Sequence, residues 1–172
     1  MAVEIERKFL VLCDAWRDQT IACHHIRDHL IARFESGKAR IRICDDTATL
    51  TLKGNRKGVS RSEFHVSLSH AEAAAMIDEF AGTPAIEKRR YDVPFQGLTW
   101  QVDEYLGRLS GLVTSDVELP SENHCFTCPT WAGSDITHDT RYSSGTLARL
   151  VQGGGAELDA LLAEIRYACP AC

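Results

Sequence analysis

The sequence predicts a mainly β fold of the α+β class, in which short strands form one sheet that closes into a barrel with a charged interior and flanking helices. Three observations predict it: charged residues recur two apart in segment after segment, apolar residues fill the alternate positions, and only a few stretches carry helical spacing. Side chains in a strand point to opposite faces in turn, so a period of two gathers the charges on one face.

Strands are predicted over residues 2–11, 39–44, 47–53, 61–68, 86–93, 98–105 and 112–119, with an eighth over 139–142. Glu4, Glu6 and Lys8 oppose Val3, Ile5 and Phe9, and Arg40 and Arg42 oppose Ile41 and Ile43. Lys53 falls with Thr49 and Thr51 opposite Leu50 and Leu52; Arg61 and Glu63 oppose Phe64 and Val66. Further on, Lys88 and Arg90 oppose Tyr91 and Val93, and Asp116 and Glu118 oppose Val117 and Leu119. A solvated polar face would explain any one of these strands. The set is different, because several strands carry charges of both signs with Arg preferred to Lys. Arg suits bidentate contacts to phosphate, and clustered carboxylates suit a hard divalent cation.

Helical signals are fewer. Ser69 and Glu72 have the spacing of a capping box before an Ala-rich run to Phe80, stopped by Gly82 and Pro84. A helix is also expected over 23–33, carrying His24, His25 and His29 on a surface face. Leu158, Leu161, Leu162 and Ile165 recur at helical spacing after Gly153, Gly154 and Gly155. The expected organisation is therefore a barrel domain over 1–150, a helix over 156–168 packed on it, and a Cys-containing tail.

At 172 residues, with 44% apolar and 25% charged residues, the chain is sized and composed for one globular domain. A net charge of −5 argues against nucleic acid or an anionic membrane as a partner held by bulk attraction. The apolar run from Phe9 to Leu12 is far short of a signal or membrane segment. A soluble, cytoplasmic protein is expected, and a homodimer is compatible with this reading. Seven cysteines, an odd number, suggest mostly reduced thiols, with Cys13, Cys23 and Cys44 as small apolar fillers.

An ordered series of motifs resembles the CYTH superfamily, the triphosphate tunnel metalloenzymes. It begins with E-x-E-x-K at Glu4-Ile5-Glu6-Arg7-Lys8 and continues with ARIRI (Arg40, Arg42), TLTLK (Lys53), RSEF (Arg61, Glu63) and IEKRRY (Lys88, Arg90). WQVDEY (Asp103), GLVTSDVEL (Asp116, Glu118) and PTWAGSDITHDTRY (Arg141) complete it. The resemblance implies a closed eight-stranded antiparallel β-barrel forming a tunnel, and hydrolysis of inorganic triphosphate to diphosphate and phosphate by activated water, as in the short bacterial inorganic triphosphatases. Thiamine triphosphatase, a nucleotide enzyme like class IV adenylate cyclase, and a non-catalytic polyphosphate-binding protein are the alternatives.

It further implies that Glu4, Glu6, Asp116 and Glu118 hold Mg²⁺ or Mn²⁺. Lys8, Arg40, Arg42, Lys53, Arg61, Lys88, Arg90 and Arg141 would bind the substrate, Arg141 covering an outer phosphate. Glu63 and Asp103 would orient basic groups or water. Departures from the usual pattern are Gln101 where Glu is common, Asp116 for the first Glu of the late E-x-E, and Ser144 where Asn is frequent.

Two C-x-x-C pairs lie outside the resemblance. Cys125, Cys128, Cys169 and Cys172 offer four thiolates at knuckle spacing, enough for a structural Zn²⁺ clipping the tail helix to the barrel, with His124 as a substitute ligand. Unconnected reduced thiols are the other reading. His65 shares parity with Arg61 and Glu63, which puts it near a tunnel mouth, and Trp16, Trp100 and Trp131 read as packing anchors.

Overall fold

Alternating charge in the sequence becomes nine strands and three α-helices in the computed structural model, which describes residues 3–168. In chain order they are β1 (Val3–Val11), β2 (Ala22–Phe34), β3 (Gly37–Cys44), β4 (Thr47–Gly54), β5 (Ser60–Leu68), α1 (His70–Phe80), β6 (Ile86–Phe95), β7 (Leu98–Tyr105), β8 (Val113–Glu118), β9 (Ala132–Asp135), α2 (Ser144–Gly153) and α3 (Ala156–Ala168). The sheet runs β5-β4-β3-β2-β6-β7-β8-β1, and β1 returns to β5 to close an eight-stranded antiparallel barrel. Closure is short: Val3, Glu4 and Ile5 face Ser62, Arg61 and Ser60. Beyond them β1 is paired by β9, which lies outside the ring.

Two sequence expectations give way. Residues 23–33 form most of β2 instead of a helix, because β3 and β6 pair with this segment on both sides. Its buried residues Ile26 and Asp28 are two apart, as in a strand. Residues 139–142 are not the eighth strand; Thr140–Tyr142 is a 3₁₀ turn whose cap residue, Asp139, accepts from the Arg141 backbone N–H. The ring is completed by β2, and β9 and α2 are elements without a counterpart in the sequence reading. The tail helix is present as α3.

Apolar outer faces account for the core. Phe9, Val93, Trp100, Val102 and Val117 pack with Trp16 and Trp131, confirming the three tryptophans as anchors. Helix α1 lays Ala73 with Met76 and Ile77 against Ile41, Ala48 and Leu50. A third cluster closes one end of the barrel: Leu10, Ile86 and Tyr105 meet Leu147 and Leu150 of α2 and Leu158, Leu161 and Ile165 of α3. One backbone approach demands glycine. A Cβ on Gly37, at φ 157°, would sit 2.1 Å from the Lys53 carbonyl oxygen, so this residue lets β3 lie against β4 where Lys38 faces Lys53.

Among the described residues no helix is long and apolar enough to cross a membrane. Cys125 and Cys128 are free and exposed, as is Cys23, which is therefore no apolar filler; Cys44 is free and half-buried. Cys13, also expected as a filler, takes part in a disulfide. Cys169 and Cys172 lie outside the described residues.

The capping box of α1 is complete: Ser69 Oγ accepts from the Glu72 backbone N–H, and the Glu72 carboxylate accepts from the Ser69 backbone N–H. Replacing Ser69 with Ala should lower stability by about 1 kcal/mol, read by urea unfolding. Because α1 lies on the barrel exterior, ligand affinity should stay unchanged in the same variant.

Candidate active site

The barrel strands project their inward-facing side chains, most of them charged, into one cavity of about 1080 Å³. Register sets the order of contacts. Across β1 and β8, Glu6 faces Glu118 and Lys8 faces Asp116; across β1 and β5, Glu4 faces Arg61. Across β4 and β5, Lys53 faces Glu63, and across β6 and β7, Arg90 faces Asp103. Inward residues pair with inward residues, so the period of two in each strand becomes a charge lattice in three dimensions.

Carboxylates organise the bases into groups. Asp28 takes Arg42 in a two-pronged contact, with Nε and Nη2 at 2.8 and 2.9 Å, and Arg40 Nη1 at 3.3 Å. Asp103 does the same for Arg90, with Nε and Nη2 both at 2.7 Å, and also pairs with Lys88. Glu4 receives Arg61 Nε at 2.5 Å and Lys53 Nζ at 3.3 Å, while Glu63 holds the other side of Lys53 at 2.7 Å. Asp116 lies between Lys8 and Arg90, whose Nη1 donates to Gln101 at 2.6 Å. Bidentate pairing fixes the guanidinium planes and leaves further N–H groups for an anion.

Burial sharpens these effects. Burial alone would raise the carboxyl groups of Asp28 and Asp103. Arg40 and Arg42 instead hold Asp28 well below the usual carboxylate range, and Arg90 and Lys88 hold Asp103 below it. Burial opposes the Lys8 ammonium too, yet Asp116 raises it. Lys38 behaves oppositely: burial, then Arg61, Lys53, Arg40 and Arg33, push it down to about 7. Its side chain donates to Ser144 Oγ at 2.7 Å, and among the described residues no carboxylate pairs with it. Glu118 is the acidic counterpart. Burial and then Glu4, Glu6 and Glu63 raise its carboxyl, and no base among the described residues pairs with it.

Of the expected site residues, Glu4, Glu6, Lys8, Arg40, Arg42, Lys53, Arg61, Glu63, Lys88, Arg90, Asp116 and Glu118 line the cavity. Asp103 lies in the wall behind Lys88 and Arg90, fully buried. Arg141 is misplaced in the sequence reading. Half-exposed, it pairs with Asp139 and with Glu164 of α3, outside the cavity, because its segment is a capped 3₁₀ turn and not a barrel strand. The side-chain oxygens of Glu4, Glu6, Asp116 and Glu118 do not converge into a group of three within 4.8 Å among the described residues; three of these four carboxylates lie on bases instead. His65 lines the cavity as expected.

Sequence reasoning missed Asp28, Arg33, Lys38 and Arg56. The alternation of Ile26 and Asp28 was the available signal for Asp28, hidden by the helical reading. Arg33 reaches the cavity because a bulge between Leu30 and Ala32 shifts the register of β2 and brings Arg33 opposite Lys38. Lys38 carries the same parity as Arg40 and Arg42. Arg56, from the β4–β5 connection, donates to the Glu6 carboxylate at 2.9 Å and lay in no strand pattern.

Comparison with known proteins gives consistent relatives. Residues 2–150 match the family model for the CYTH domain. An inorganic triphosphatase of Acetivibrio thermocellus is 37% identical over 150 residues, covering 87% of this chain and 95% of the relative. An inorganic triphosphatase of Nitrosomonas europaea is 31% identical over 149 residues, covering 84% and 96%. The crystal structure of the inorganic triphosphatase NE1496 superposes with a TM-score of 0.62 at 28% identity, over 86% of this chain and 95% of that one.

Substituting Asp28 with Asn should leave Arg40 and Arg42 unpaired and lower stability by up to about 3 kcal/mol. Added sulfate should return part of that loss by occupying the same guanidinium groups. Thermal unfolding with and without sulfate checks it; a variant as stable as wild type without sulfate would show that the carboxylate does not hold these arginines.

Proposed function

The chain belongs to the CYTH domain family, and from that premise we propose that it hydrolyses inorganic triphosphate to diphosphate and phosphate, assisted by divalent cations. The observation that carries this reading is the enclosed set of bases, grouped on carboxylates, with more cationic than anionic side chains along the cavity wall. A condensed phosphate is a compact polyanion, and such a lining neutralises it with donors already in place. Neither the chain's net charge of −5 nor its exterior supplies that attraction; it is local to the tunnel.

A divalent cation fits the residues present. Glu6 and Glu118 face each other as like charges across β1 and β8; Arg56 and Arg61 sit on Glu6, whereas Glu118 has no basic partner among the described residues. With Glu4 and Asp116 these two are all-oxygen donors of the kind Mg²⁺ or Mn²⁺ prefers, and binding would require the ion pairs that hold Glu4, Glu6 and Asp116 on bases to open so that the oxygens converge. These four residues would hold it. When bound, such a cation supplies Lewis-acid neutralisation of phosphate oxygens and acidifies water.

The side chains do the positioning. Arg40 and Arg42 on Asp28, and Lys88 and Arg90 on Asp103, turn their remaining donors toward the phosphate chain, while Lys8, Lys53 and Arg61 neutralise it from β1, β4 and β5. Water adds in line to the terminal phosphorus, the bridging P–O bond breaks, and diphosphate leaves with its new charge stabilised by these bases. No covalent enzyme intermediate is required. Lys38 completes the grip when protonated. Gln101 and the shortened Asp116 share Arg90 between them, so the departures from the family pattern leave the basic lining intact. A cytoplasmic location belongs to the same reading.

Phosphate release from tripolyphosphate should be stimulated by Mg²⁺ or Mn²⁺ and abolished by chelator; binding without turnover under every metal condition would make the protein a polyphosphate binder instead. Glu118→Gln should lower kcat at least about 100-fold with little change in thermal unfolding. Parallel rates with ATP and thiamine triphosphate assign the substrate.

The low Lys38 pKa sets a pH dependence. Below about 7 its ammonium is charged and binds substrate; above that it is neutral. Relative to Lys38→Met, wild-type kcat/KM should therefore fall as pH rises from 6 to about 8. Identical pH profiles for the two proteins would remove Lys38 from the binding site.

A further inference from the structure

We infer that the tunnel end opposite α2 and α3 carries a second metal site, for Zn²⁺, built from His24, Cys44 and Asp45. Their donor atoms lie within 4.8 Å of one another, the one such group of three among the described residues. Barrel register brings them together. His24 of β2 faces Arg90 of β6, and Cys44 ends β3 on the parity of Arg42, so both belong to inward-facing rows at that end. Asp45 follows in the β3–β4 turn, with a left-handed φ of 48°.

The surroundings orient the three donors. Asp45 Oδ1 accepts from the His25 backbone N–H at 2.9 Å, which leaves Oδ2 aimed at His24 Nδ1, 2.8 Å away. On the other side of the ring, His24 Nε2 lies 3.8 Å from Asp92 Oδ2. That separation is beyond a direct hydrogen bond; drawn closer on metal binding, it would give the imidazole–carboxylate pairing that fixes the tautomer of a metal-bound histidine. Asp92 Oδ1 is buried without a hydrogen-bond partner, while Oδ2 is the oxygen nearer the His24 ring.

The donor chemistry selects the cation. One thiol, one imidazole and one carboxylate suit Zn²⁺ and leave a fourth position for water, whereas Mg²⁺ and Mn²⁺ prefer all-oxygen sites. Binding requires the Cys44 thiol to lose its proton to solvent and the Nδ1–Oδ2 contact to open around the ion. The ion would tie β2 to the β3–β4 turn at an open end of the barrel. This site shares no residue with the carboxylates proposed for the triphosphate reaction, so either assignment can fail without the other.

Cobalt is the probe. Metal-free protein titrated with Co²⁺ should develop a thiolate-to-metal charge-transfer band with one equivalent bound, and Zn²⁺ should displace it while excess Mg²⁺ should not. The band should survive Cys125→Ser/Cys128→Ser and disappear in Cys44→Ser. His24→Ala should weaken Co²⁺ affinity at least tenfold, and Asp92→Asn should weaken it about 10- to 100-fold. Each variant is checked for the wild-type circular dichroism spectrum. Absence of the band in wild type, or its persistence in Cys44→Ser, overturns the proposal.

Discussion

Closure of a sheet whose strands alternate charged and apolar residues is the constraint on which the rest of this structure depends. Once β1 pairs with β5, the side chains of one parity line the tunnel and those of the other face outward, where helices and loops cover many of them. Enclosing charges is costly unless they are paired. The lattice of Asp28, Asp103, Glu4, Glu63 and Asp116 supplies that pairing; among the described residues it leaves Arg33 and Lys38 on the basic side and Glu118 on the acidic side without an ion-pair partner. Under the proposed function, those exceptions are where an anion and a cation would complete the cavity.

Grouping bases on shared carboxylates also has a kinetic meaning. A guanidinium held on a carboxylate by two N–H groups, as Arg42 is on Asp28, has little rotamer freedom left to lose when phosphate arrives, so the ordering cost falls at folding and not at binding. The apolar exterior contributes in a different way. Trp16, Trp100 and Trp131 on one side and α1 on another stiffen the strands from outside, while α2 and α3 cover one end. A rigid wall keeps the inward charges in register, which is what positioning catalysis requires.

Much of this was legible from alternation alone, because a strand needs no knowledge of its neighbours to decide which side chains share a face. The parity of Glu4, Arg40, Lys53, Arg61, Lys88 and Asp116 predicted their common enclosure. Alternation failed at β2, where histidines and small residues blurred the period and a bulge changed its phase before Arg33. Asp28, the partner of two cavity-lining arginines, disappeared with that strand. Arg141 failed for the converse reason: a motif match placed it inside, whereas a local cap at Asp139 turned it toward Glu164.

By itself the sequence determined the class of the fold, the face on which each strand bears its charges, the capping of α1 and the amphipathic tail helix, since these depend on neighbours within one to four residues. Only the tertiary structure decided which charge meets which. Sharing of Asp28 by two arginines, the lack of a carboxylate partner for Lys38 among the described residues, and convergence of His24, Cys44 and Asp45 all follow from register between strands distant in the chain, and no local pattern encodes register across a closing barrel.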